Sequence, residues 1–109
     1  MPYDPGLAER VAELIGLDPG IEEKKMFGGL VWMLNGNMAL GVWQEALILR
    51  TARDKNNPLL ADPFVRPFDI TGKPMRGLVM VDPEGFEDDR ELERYVRLGL
   101  DFAGGLPPK

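Results

Sequence analysis

The sequence predicts an α+β domain: an antiparallel sheet with one helix before it and one after. Three observations carry this. Apolar residues recur with a helical period at both ends of the chain, that period gives way to short apolar runs between them, and Asn35-Gly36 sits between two of those runs as a hairpin signal. At 109 residues with 44% hydrophobic and 28% charged side chains, the chain is the size of one domain, read here as 1–109.

The first helix is predicted from Asp4 as its cap and Pro5 in its first turn, where a missing N–H costs nothing. Leu7, Val11, Leu14 and Ile15 form its apolar stripe, and Asp18-Pro19-Gly20 is the turn that ends it. Lys24-Lys25-Met26-Phe27 then leads into Gly28-Gly29 and a three-stranded meander: Leu30–Leu34, Met38–Trp43 and Ala46–Thr51, broken at Asn35-Gly36 and Gln44-Glu45. A three-residue first loop places Leu30, Trp32 and Leu34 facing Met38, Leu40 and Val42 on one surface. A two-residue loop shifts the register by one, and the sequence leaves both open.

Pro58-Leu59-Leu60-Ala61 reads as a single helical turn. Two further strands follow, Phe64–Ile70 and Met75–Val81, joined through Thr71-Gly72-Lys73-Pro74, with Pro67 pointing to an edge position. Asp82-Pro83-Glu84-Gly85 is another turn. The final helix starts at Asp88, with Glu91 completing a capping box. It carries Leu92, Val96, Gly99 and Ala103 as its stripe, widened by Tyr95, Leu100 and Phe102, and stops at Gly104-Gly105. Glu93 and Arg97 form an i,i+4 pair. The expected order is α-β-β-β-(α)-β-β-α.

Composition excludes much chemistry. There is no His, no Cys and no Ser, so disulfides, Cys/His zinc sites and Ser, Cys or His nucleophiles are out. No two carboxylates are placed beside an apolar pocket, so no catalytic residue is expected, nor any cofactor or metal site. Thr71-Gly72-Lys73 lacks the glycine four positions earlier that a phosphate loop needs, because position 67 is Pro. The acids from Glu87 to Glu93 suit a helix N-terminus, and the internal methionines suit a core. With no signal peptide and no run of about 20 apolar residues, the expectation is a cytoplasmic protein without a membrane partner.

The net charge is −5, with −3 over residues 1–20 and −4 over residues 80–109. Residues 21–53 and 54–79 carry +1 each. The strand region therefore supplies the candidate binding surface: Lys24, Lys25, Arg50, Arg66, Asp69, Lys73 and Arg76, with Arg53 beside them. Arg66 and Asp69 read as an ion pair fixing a turn, or as part of a site where guanidinium forks bind carboxylate or phosphate.

Several stretches together resemble one family. They are Met26-Phe27-Gly28-Gly29, the hairpin Met33 to Met38, Leu47-Ile48-Leu49-Arg50, Arg66-Pro67-Phe68-Asp69-Ile70-Thr71-Gly72-Lys73-Pro74-Met75-Arg76-Gly77, and Asp82-Pro83-Glu84-Gly85-Phe86. From about Lys24 to Leu106 the chain resembles the TfoX N-terminal domain family, related to the Sxy competence regulators, in its short single-domain form. The resemblance implies helices packed on an antiparallel sheet in a secretion-chaperone-like arrangement. The family's regulatory members act on transcription with a partner regulator to promote competence, and carry a second, helical domain that these residues do not include. It implies no catalytic residues. The resulting expectation is a non-enzymatic interaction module with a protein partner, a homodimer being one candidate. The alternative is an anion-binding domain for nucleic acid or a phosphorylated small molecule, which the net charge does not favour.

Overall fold

The computed structural model describes residues 3–16, 18–26, 28–51, 58–68 and 77–108. Helix α1 spans Pro5–Ile15. Strands β1 Ile21–Met26, β2 Gly29–Leu34, β3 Asn37–Trp43 and β4 Ala46–Arg50 follow. A 3-10 turn at Pro58–Ala61 precedes β5 Val65–Pro67 and β6 Leu78–Val81. A second 3-10 turn, Pro83–Phe86, leads into helix α2, Asp89–Gly104. All strand pairings are antiparallel, in the order β1-β2-β3-β4-β6-β5. The predicted class holds, with one strand more than expected: Ile21–Met26 is a strand and not a lead-in.

Both helices start as their caps dictate. The Asp4 carboxylate accepts from the N–H groups of Gly6 and Leu7, and Pro5 opens the helix. Helix α1 ends earlier than expected because Gly16 sits at φ +71°, a left-handed position that suits glycine. Its stripe is Leu7, Ala8 and Val11, while Leu14 is 38% exposed and so outside the core. In α2 the Asp88 carboxylate accepts from the Arg90 N–H. Glu91 does not complete the capping box; its carboxylate takes the Arg94 guanidinium at 2.9 Å. The Glu93–Arg97 pair forms as expected at 3.1 Å.

The hairpin resolves both open registers at once. Asn35 and Gly36 have φ of +52° and +84°, the two-residue turn with left-handed central residues. Next to it Leu34 pairs with Asn37 and Met33 with Met38. A bulge between Trp32 and Met33 then shifts the pairing to Trp32 with Leu40 and Leu30 with Val42, the register of the longer loop. The extra residue, Ala39, joins Leu40 on the helix side, while Met38 packs on the opposite face.

The sheet is apolar on both faces, so β3, β4 and β6 are buried almost throughout. One face holds Trp32, Leu40, Leu47, Leu49 and Val81, packed with Val11, Leu92 and Val96 of the helices. Gly99 lets α2 lie close: a Cβ there would stand 2.7 Å from the Ala39 carbonyl oxygen. The other face gathers Val31, Met38, Ile48, Met80 and Phe68. Phe68 meets Trp43 edge-on, with ring centroids 6.0 Å apart. The one buried polar side chain among the described residues, Asn37, donates from Nδ2 to the Pro107 carbonyl at 2.9 Å. That bond ties the segment after α2 to the hairpin.

Candidate functional site

Four of the seven candidate binding residues lie within the described residues; Asp69, Lys73 and Arg76, like Arg53, lie outside them. The four do not converge. Lys24 and Lys25 stand on β1, one edge of the sheet, and Arg66 on β5, the other edge. Five strand spacings of about 4.8 Å separate those edges, roughly 24 Å. Arg50 is at the end of β4, opposite Leu78, two strands and two positions from Arg66. Lys24 and Lys25 also point to opposite faces, because neighbours on a strand alternate.

Asp69, the partner expected from the sequence, lies outside the described residues, and among these Arg66 has a partner of its own. Its Nε and Nη2 donate to Asp82 Oδ1 at 3.2 and 3.0 Å. Arg66 is paired with Met80, so Asp82 is its diagonal neighbour on the same face. That proximity depends on register and cannot be read from local spacing.

Arg66 borders a concavity of about 540 Å³ that also touches Tyr3, Trp43, Gln44, Glu45 and Asp82. The chain start closes one side, where Tyr3 bridges Gln44 and the Asp4 N–H donates to the Gln44 carbonyl at 2.8 Å. Gln44 has φ +52°, a backbone position that favours glycine. Among the described residues, the wall carries Asp4, Glu45 and Asp82 against one base, Arg66, which Asp82 already holds. That charge balance gives an anion no unpaired guanidinium among these residues.

A second polar cluster joins α2 to the turn before β5. The Tyr95 hydroxyl donates to Asp62 Oδ2 at 2.7 Å, and the Phe64 N–H donates to Asp62 Oδ1 at 3.0 Å. The Arg94 guanidinium lies over the Tyr95 ring at 4.4 Å. Burial pushes the Tyr95 phenol up to about 12, and the neighbouring Asp62 carboxylate adds to that. The Phe64 N–H, then the Tyr95 hydroxyl, hold Asp62 below the usual carboxylate range. Each of these side chains is bonded or ion-paired to another part of the chain, so the cluster serves the fold.

Strand β1 offers different chemistry. Glu22, Glu23, Lys24 and Lys25 are all exposed. Among the described residues β1 pairs with β2 alone. The Asn35 N–H donates to the Gly20 carbonyl at 2.9 Å, which sets the phase of the ladder. Residues 22, 24 and 26 therefore turn their backbone groups toward β2, and Glu23 and Lys25 turn theirs outward. The Ile21 N–H is taken by the Asp18 carbonyl at 3.0 Å. Glu23 is also fixed by its side chain, whose Oε1 accepts from Trp32 Nε1 at 3.2 Å. Sequence reading picked out Lys24 and Lys25 here and missed Glu23, because an acid–acid–base–base run has no strand periodicity to announce it.

The opposite edge is less accessible to a pairing chain. Strand β5 has three residues, and Pro67 lacks an N–H to offer. Among the described residues, no helix is long and apolar enough to cross a membrane. A family model described as the TfoX N-terminal domain matches residues 13–103. No curated protein and no solved structure matches the chain.

Proposed function

Because the chain belongs to the TfoX N-terminal domain family, we propose that it is a non-enzymatic regulatory interaction module that binds a protein partner along the β1 edge of its sheet. The observation that carries this reading is β1: six residues, exposed through its middle four, with the backbone groups of Glu23 and Lys25 facing outward. Such an edge accepts an added strand, whose main-chain hydrogen bonds give affinity while flanking side chains give selectivity. The charges on β1 restrict which strands fit, since like charges placed directly opposite are unfavourable.

The test combines capture and amide exchange. Protein retained by the chain from lysate of its own cell is identified, purified and added back. The Glu23 and Lys25 amides then slow on binding, and Lys25→Pro, which removes an outward N–H along with the side chain but no bond to β2, weakens binding at least tenfold more than Lys25→Ala does. A partner that binds with those two amides unchanged, or as well to a folded Lys25→Pro variant as to Lys25→Ala, rules out the edge.

A further inference from the structure

We infer that β1 pairs with β1 of a second copy of this chain, antiparallel about a two-fold axis through Lys24, so that Glu23 of each copy lies opposite Lys25 of the other. This rests on the edge-binding reading above and names its partner.

Geometry leaves few registers. Two identical strands that pair antiparallel about a two-fold axis need that axis normal to the sheet. Each side chain then meets one from the same face of the other copy, so a single residue of β1 must sit on the axis. Glu23 and Lys24 are the central choices.

With Lys24 on the axis, the outward residues match. The Glu23 N–H and carbonyl meet the Lys25 carbonyl and N–H of the second copy, and the same pair recurs across the axis, which gives four main-chain hydrogen bonds. The side chains agree with the backbone. Glu23 and Lys25 share a face, the one on which Glu23 reaches Trp32. Two acid–base pairs therefore form side by side on that face. The like pair at the axis is Lys24 with Lys24, two exposed chains long enough to swing apart.

With Glu23 on the axis, two carboxylates are held against each other. Each is tethered by its Trp32 bond at 3.2 Å, so turning away costs that bond. Lys25 would also face Ile21 of the second copy, whose N–H is already given to Asp18. The Lys24 register is favoured on both counts. It joins two six-stranded sheets into one continuous sheet, with α1 and α2 of both copies on the same side.

The test reads molar mass by sedimentation equilibrium from low micromolar to sub-millimolar chain at low salt. The wild-type chain shifts from 12.2 kDa toward twice that mass. Glu23→Lys and Lys25→Glu each turn two attractions into two repulsions and weaken self-association at least tenfold. An equimolar mixture of the two single variants associates again, since each supplies what the other lost. The double variant E23K/K25E regains self-association. Circular dichroism confirms folding, and Lys25→Glu leaves the Trp32 bond in place, so loss in that variant is not a folding defect. A chain that stays at 12.2 kDa, or a dimer indifferent to these reversals, overturns the inference. The edge-binding reading would then still stand if a captured partner slowed the Glu23 and Lys25 amides.

Discussion

Tyr95 shows how one side chain couples two distant segments. Its residue is 1% exposed, yet its hydroxyl reaches Asp62, 33 positions earlier. The apolar ring belonged to the predicted α2 stripe and was legible there. The partner was not, because nothing local links Asp62 to α2. The phenol is raised to about 12, so its contribution to stability is whole below about 10, the ordinary tyrosine value, and is lost as pH climbs through 12. Asp62 works in the other sense. Its carboxyl is lowered, so its contribution is present above the ordinary carboxylate range and is lost as pH falls through the lowered value. Tyr95→Phe keeps the ring and removes a bond to an ionised carboxylate, at a cost of about 1.5–3 kcal/mol at neutral pH. In a spectrophotometric titration the phenolate step near pH 12 disappears in this variant, and the loss of stability between about 10 and 12 shrinks with it. Persistence of that step would mean another group gives rise to it.

Among the elements, two tight hairpins differ in how well sequence matches backbone. At Asn35-Gly36 both residues suit positive φ, and the turn was legible. At Gln44 the same kind of position is filled by a side chain that does not suit it. A left-handed conformation costs a non-glycine residue roughly 1–2 kcal/mol, while glycine loses about 0.5–1 kcal/mol through its freer unfolded chain. Gln44→Gly is therefore expected to raise stability by about 0.5 kcal/mol, the difference between those terms. The bond from Asp4 to the Gln44 carbonyl is a backbone bond and survives the change. Chemical denaturation with an unchanged slope measures the gain; a clear loss would mean that the glutamine side chain contributes more than its backbone strain costs. Strand β1 was hidden for another reason. Its four central side chains are charged and exposed on both faces, so the continuous apolar run that exposes β3 and β4 is missing. What makes it a strand is pairing with β2, a contact that composition does not encode.

Across the whole molecule, the acidic ends of the sequence fold into α1 and α2, and the described part of the weakly basic middle forms a sheet that is apolar on both sides. That sheet leaves little room for charge on its faces, and its described bases are spread to the rims: Lys24 and Lys25 on β1, Arg50 at a strand end, Arg66 on β5. That layout fixes an order of local stability. Leu40, Leu47 and Leu49 are 0% exposed on strands with neighbours on both sides, so their amides should exchange only on global unfolding. On β1 the ladder phase predicts alternation. In dilute solution the amides of Glu22, Lys24 and Met26, bonded to β2, exchange slowly, and those of Glu23 and Lys25 exchange fast. If β1 were merely frayed, all five would be fast. If a second copy covers the edge, raising the chain concentration slows Glu23 and Lys25 in step with the dimer fraction and leaves the inward three unchanged. Site-resolved hydrogen exchange at two concentrations separates these cases. Slow exchange at Glu23 and Lys25 that ignored concentration would mean that the edge is already covered within the single chain, and would leave neither a partner strand nor a second copy a place to bind.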